Sequence, residues 1–359
     1  MDDHEPEVAG SSQNTDVSLM DMSLETIPSR YTMVVEGFYS PRHVVKLNIS
    51  RNNFLHIHGL SVFTNLVSLD VSNNGLTMIP DDLGCMPNLR SLVARNNNLE
   101  DLPKTLVNCQ HLEAIYLSGN RMEGIPEVLF DMPELKILHL GGNRIEQLPY
   151  LIGTLTNLEI LYLGGNRLKD VPASIGRLAN LSSLALCDNL LESIPSTLGD
   201  LINLQSLSLH NNNLKTLPTE LIQLRNLQQL SLRNNPLVHH FVQNMDIEPP
   251  KLKELAGRIV RTRMHKLPLH MMLPRELFDY LRSANQCVNP KCKGVYFEAC
   301  VEHIKFVDFC GKYRVPLLQF LCSPQCSPAA PAYMADSSSS DSEDELPTSS
   351  MKLRKVLLG

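Results

Sequence analysis

One residue type keeps time along this chain, and its beat constrains the fold more than any other feature. Asparagine recurs at Asn52, Asn74, Asn97, Asn120, Asn143, Asn166, Asn189, Asn212 and Asn235, in steps of 23 residues after a first step of 22. Around each lies the pattern L-x-x-L-x-L-x-x-N-x-L. Proline keeps the same interval at Pro80, Pro103, Pro126, Pro149, Pro172, Pro195 and Pro218. Two residue types locked to one period exclude an ordinary domain of unequal elements. Each unit is one coil, too small to bury a core alone, and stability must come from stacking.

The predicted fold class is therefore an α/β leucine-rich repeat solenoid of nine repeats of about 23 residues. In a phrase such as "LEILYLGGN", Leu158, Leu161 and Leu163 should point inward onto their counterparts in neighbouring coils. The asparagine amide, donor and acceptor at once, suits bonding to the backbone of adjacent coils. Proline fixes φ and removes an N–H where the convex segment begins, so the strand stops there. The predicted divisions are a disordered tail over 1–22, an N-terminal cap over 23–43 containing "SLETIPSRY", and the solenoid over 44–248. Beyond it come a helical segment over 249–284, a cysteine-rich module over 285–328 and a disordered serine and acidic tail over 329–359.

The balance of 32 basic against 38 acidic residues gives a formal charge of −6, with no electrostatic reason to expect nucleic acid or anionic lipid. The start, "MDDHEPEVAGSSQNTD", has neither a basic region nor an apolar h-region. No run approaches the roughly 18 apolar residues of a membrane span. The expected place is the cytoplasm, with the nucleus also compatible. In such a reducing compartment clustered cysteines point to metal or buried thiols before disulfides.

Parallel strands lie about 4.8 Å apart, so nine of them give a concave sheet roughly 40 Å long, suited to a protein partner. The exposed mid-strand ladder reads Asn48, Asp70, Val93, Tyr116, His139, Tyr162, Ala185, Ser208 and Ser231. Gly119, Gly142 and Gly165 precede their asparagines, with Gly141 and Gly164 in front of two of them. The predicted substrate-binding surface is Tyr116, His139 and Tyr162 on this glycine floor, flanked by Arg95, Cys187, Asp188, His210 and Arg233. The plainer reading makes the aromatics solvent-face filler and the glycines turn residues. Neither histidine comes with a nucleophile, base and orienting group, so no catalytic site is expected.

After Pro249 and Pro250 the period is lost. Leu252, Leu255, Ala256, Ile259 and Val260 share one helical face, and Pro274 suits the first turn of a second helix. A helical cap over the last coil is one reading. A docking helix is the other, because Leu252, Ala256 and Val260 fit an elongin-binding box, a pattern that many amphipathic helices satisfy. Further on, "CVNPKC" and "CSPQC" place Cys287 and Cys292, then Cys322 and Cys326, at the ends of a β-rich stretch. Four thiolates there suggest a small zinc-ribbon-like module with structural zinc. The spacers of four and three residues depart from the usual two. Cys300 and Cys310 are spare thiols, and buried reduced thiols or disulfides remain alternatives. In the tail, Ser340 and Ser342 have acids three residues on, which makes them phosphorylation candidates.

Repeats, then a leucine-start helix after a proline pair, then a cysteine-bearing end: this layout resembles the leucine-rich repeat substrate receptors of elongin–cullin ubiquitin ligases. The resemblance implies a non-catalytic receptor that takes a protein substrate on its concave face. It also implies elongin C, with elongin B, on Leu252, Leu255, Ala256 and Val260, and cullin-2 or cullin-5 with its RING subunit near Leu273 and Pro274. The competing reading is a plain scaffold for intracellular signalling proteins.

Overall fold

The computed structural model describes residues 15–34, 40–237, 250–264, 272–289, 292–309, 313–323, 326 and 355–357. The chain divides into two compact units. One comprises Met1–Asn213, Glu220–Asn235 and Leu353–Gly359; the other comprises Leu214–Thr219 and Pro236–Lys352.

The first unit is built on one sheet of three-residue strands. The nine repeat strands run from Lys46–Asn48 to Gln229–Ser231, all parallel and each paired in register with the next, so that Tyr116 faces His139 and His139 faces Tyr162. The leucines of the motif are sealed inside: Leu158, Leu161 and Leu163 have no exposure. On the convex side short 3-10 helices such as Asp81–Cys85 and Ala173–Arg177 follow Pro80 and Pro172, each proline sitting at the N-cap. Five residues suffice for one tight turn there, and the ring's fixed φ sets its direction.

Between coils the asparagines form a hydrogen-bonded ladder. Asn143 donates to the carbonyls of Leu117 (3.1 Å) and Leu140 (2.9 Å), and its Oδ1 accepts from the Met122 N–H (3.1 Å). The same bonds recur at Asn120, Asn166, Asn189 and Asn212. One buried amide thus satisfies backbone groups of its own coil and of the coil before it.

The sheet is longer than nine strands. Asp16–Ser18, inside the stretch expected to be a disordered tail, is its first strand and pairs with Lys46–Asn48. Val17 registers with Leu47, and Leu19 is fully buried. That offset of 30 residues puts Met22 where the next coil has Asn52, so the asparagine is missing and the interval is broken, although Pro28 follows Met22 by the same six residues that separate Pro80 from Asn74. Asn52 instead reaches back and accepts from the N–H groups of Met22 and Leu24. At the other end Lys355–Leu357, also in a stretch expected to be disordered, pairs with Gln229–Ser231 as the eleventh strand.

In the second unit two nine-residue antiparallel strands, Val301–Phe309 and Tyr313–Leu321, are joined by the two-residue strand Leu217–Pro218, parallel to and registered against Leu317 and Leu318. A smaller pair links Asn285–Gln286 to Val295–Tyr296. Two helices, Leu252–Arg263 and Arg275–Arg282, accompany them. Among the described residues no helix is long and apolar enough to cross a membrane.

Candidate functional site

On the concave face the expected residues form one continuous row. The Arg95 guanidinium lies 4.6 Å from the centre of the Tyr116 ring, which meets His139 edge-on at 4.9 Å; His139 in turn lies 5.6 Å from Tyr162. Cation–π and edge-to-face geometry hold these side chains without a covalent tie. Burial holds the His139 imidazole below its ordinary pKa, and the Arg95 charge adds to this, so the ring is neutral at neutral pH. Burial likewise raises Tyr162, with Cys187 and Asp188 adding to the effect.

The row continues as a polar cluster. The ligand-type atoms of Cys187, Asp188 and His210 all lie within 4.8 Å of one another. His210 stands 3.7 Å from Asp188 and hydrogen-bonds Ser231 at 3.2 Å. Burial, then the Asp188 hydrogen bond and charge, push the Cys187 thiol up to about 11, so it carries no nucleophilic thiolate at neutral pH. Arg233 is exposed beyond them. Sequence reasoning did not assign Ser231 a role; its only signal was its place in the mid-strand ladder.

The glycines divide into two kinds. The residue before each asparagine has positive φ, whether it is Arg51, Asn73, Asn96, Asp188, Asn211, Asn234 or one of Gly119, Gly142 and Gly165. The turn demands that conformation, which asparagine, aspartate and glycine supply most readily. Gly141 and Gly164 answer a different need. A Cβ on Gly141 would lie 2.1 Å from Tyr162 Cε1 and 2.9 Å from the Gly164 carbonyl oxygen. The expected bare floor is therefore covered at this point by the Tyr162 ring, which remains 37% exposed. Gly141→Ala is expected to lift that ring off and to push the Gly164 backbone locally, while the leucine core stays packed. A changed Tyr162 fluorescence or NMR signature with an unchanged far-UV spectrum would show it; an unmoved ring would refute the contact.

In the second unit the 252–263 helix turns its polar side inward. Glu254 is 3% exposed and accepts from the N–H groups of Phe297 (3.2 Å) and Ala299 (3.0 Å). Arg258 pairs with Glu254 at 2.5 Å and donates to the carbonyls of Cys322 (2.7 Å) and Ala299. Burial alone would raise the Glu254 carboxyl; the Ala299 N–H, Arg258 and the Phe297 N–H together hold it below the usual range. Gly257 sits under Phe297, whose ring stacks on Tyr280 at 4.4 Å. Neither Glu254 nor Arg258 was flagged from sequence, because a Glu–Arg pair four apart ordinarily reads as solvated surface.

The opposite face is open: Leu252 is 82% exposed, Leu255 43% and Ile259 52%. Ala256 is exposed too, and Val260 half-buried. Leu273 is half-buried and Pro274 exposed, directly before the 275–282 helix. Cys287, Cys292, Cys322 and Cys326 converge, all four sulfurs within 4.8 Å, whereas Ser340, Ser342 and Cys310 lie outside the described residues.

Comparison with known proteins agrees with the repeat reading. Family models described as leucine-rich repeat region, leucine rich repeat and leucine rich repeats (2 copies) match residues 127–234, 87–145 and 64–108. Leucine-rich repeat-containing protein 58 of Xenopus laevis is 51% identical over 125 residues, covering 34% of this chain and 35% of that protein. Its Xenopus tropicalis counterpart is 56% identical over 93 residues, 26% of each chain. The Homo sapiens protein is 53% identical over 90 residues, 25% of this chain and 24% of its own. The match thus spans about a third of the Xenopus laevis relative and about a quarter of the other two. Among solved structures, the leucine-rich repeat ectodomain of the receptor kinase GASSHO1/SCHENGEN3 from Arabidopsis thaliana is 36% identical, covers 54% of this chain and 24% of that one, and has a TM-score of 0.47. The Arabidopsis receptor kinase HAESA is 33% identical over 54% of this chain and 34% of its own, at a TM-score of 0.49. The repeat models and a parallel sheet that gains one strand per coil make this chain a leucine-rich repeat solenoid protein, similar to leucine-rich repeat-containing protein 58.

Proposed function

We propose that the chain is the non-catalytic substrate-recognition subunit of an elongin BC–cullin–RING ubiquitin ligase. The concave row from Arg95 to His210 takes the substrate protein, and the 252–263 helix docks elongin C. Cullin-2 or cullin-5 approaches near Leu273 and Pro274. One observation carries the reading: Leu252, the leucine of the box, is 82% exposed at the head of an exposed apolar row. Here the buried side belongs to Glu254 and Gly257, which leaves the leucines for a partner groove. Aromatic rows flanked by arginine on a repeat sheet are in turn the composition of interface hot spots.

The test mixes the purified full chain with purified elongin B–C and follows co-elution. A stoichiometric complex is expected; separate elution of a folded chain refutes the docking reading and leaves the plain repeat scaffold. The two surfaces should also separate genetically. Tyr116→Ala combined with Tyr162→Ala is expected to weaken the substrate by about 2 kcal/mol or more, if the rings are its anchors, while elongin B–C is retained. Affinity purification beside the wild type reads both at once. Unchanged recovery of every partner by the folded double variant would remove the substrate role from this row.

A further inference from the structure

The four convergent cysteines come from two turns. Cys287 and Cys292 lie in the turn joining Asn285–Gln286 to Val295–Tyr296, closed by the Cys287 N–H on the Gly294 carbonyl at 2.8 Å. Cys322 and Cys326 lie just after the long strand Tyr313–Leu321, in a turn closed by the Cys326 N–H on the Ser323 carbonyl at 3.1 Å. Asn289 ties the two turns together by donating to the Cys326 carbonyl at 2.8 Å.

The sulfur spacing is informative. Cys322 Sγ lies 3.8 Å from Cys292 Sγ and 3.5 Å from Cys326 Sγ. A disulfide needs about 2.05 Å and joins only two sulfurs; all eight described cysteines are free. A zinc ion holding four thiolates at about 2.3 Å in a tetrahedron sets them about 3.8 Å apart. Donors are also aimed at the sulfurs. The Gly294 N–H points to Cys292 Sγ (3.2 Å), the Cys322 N–H to Cys287 Sγ (3.4 Å) and the Ser323 hydroxyl to Cys326 Sγ (3.4 Å). Such donors spread the charge of metal-bound thiolates. Gly294 is required for close approach, since a Cβ there would meet Cys322 Sγ at 2.8 Å. Packing of neutral thiols explains burial, but not four sulfurs within 4.8 Å of one another, two of the separations at 3.5 and 3.8 Å, with donors directed at three of them.

We propose that Cys287, Cys292, Cys322 and Cys326 hold one zinc ion in a closed all-thiolate site, and that this ion fixes the 252–263 helix. Four protein ligands leave no open position for a substrate, so the role is structural. The link to the helix is short. The Cys322 carbonyl accepts from Arg258, and Arg258 and Glu254 both bond Ala299. Loading the site therefore holds the turn against which the helix's polar side is bonded, and so keeps its apolar row outward. That second half deepens the docking role proposed above and rests on it for its biological use.

The experiment takes the full chain, purified under reducing conditions. Elemental analysis is expected to find one zinc per chain. Cobalt(II) exchanged into the site should give the absorption of tetrahedral thiolate coordination. A strong chelator should make four further cysteines reactive to a thiol reagent and speed backbone hydrogen exchange in residues 252–263 by at least about tenfold. Reduced protein without stoichiometric zinc that also fails to take up cobalt overturns the site. Metal loss with unchanged exchange in the helix overturns the link. Because the native chain is used, a Cys287→Ser variant that fails to fold does not obstruct the test. None of these readouts involves elongin, so a failure of the docking reading leaves them standing.

Discussion

Leu252→Asp is expected to abolish capture of elongin B–C while leaving the melting temperature of the chain unchanged. Leu252 is the first residue of its helix, after Lys251 at the N-cap. An aspartate there sits at the positive end of the helix dipole, where an acidic group is favourable, so the helix itself is not harmed. The side chain is 82% exposed, so no core contact is lost. In a groove, however, the same change puts a carboxylate into an apolar pocket. An anchor of this kind is worth about 2 kcal/mol or more, a weakening of roughly 30-fold at least. The competing reading expects the reverse pattern. A leucine buried as part of a cap would cost about 2–5 kcal/mol of stability even when changed to alanine. Isothermal titration beside thermal denaturation separates the two; a large drop in melting with elongin binding intact would contradict the docking role.

The second large effect concerns stability. Asn143→Ala should lower the stability of the solenoid by about 1–3 kcal/mol, because the buried Met122 N–H loses its acceptor. The carbonyls of Leu117 and Leu140 each lose one donor but keep the amides of Asn120 (2.8 Å) and Asn166 (3.0 Å). A long repeat array need not unfold in one step, so the reading is the denaturation midpoint together with hydrogen exchange at Met122. A local effect would concentrate in the coils on either side of Asn143. A shift equivalent to less than about 1 kcal/mol would mean that water replaces the amide and that the ladder is not a structural tie.

What could be read from the residues follows from what the period encodes. Every repeat strand from Lys46–Asn48 to Gln229–Ser231 was legible, because asparagine, leucine and proline each answer a need repeated in every coil. The first strand was not, since Met22 replaces the asparagine and a 30-residue offset breaks the interval, leaving only Pro28 and the apolar pattern of Val17 and Leu19. Nor was the last one, in Lys355–Leu357: three residues give no period, and pairing with Gln229–Ser231 is a long-range matter.

Within the site, side-chain identity along the ladder was enough to place Tyr116, His139 and Tyr162 in one row. It did not show that Tyr162 lies across Gly141, because ring orientation is decided by neighbouring coils and not by spacing. The same limit hid the inward turn of Glu254 and Arg258. An amphipathic pattern says which residues share a face, and the apolar face is ordinarily the buried one. In the 252–263 helix the ion pair and the small Gly257 occupy the packed side instead.

That inversion is the central claim, and hydrogen–deuterium exchange of the full chain with and without purified elongin B–C tests it most directly. Protection concentrated in residues 252–263, and lost in Leu252→Asp, is the expected result. No protection anywhere, or protection that leaves the helix untouched, would contradict it.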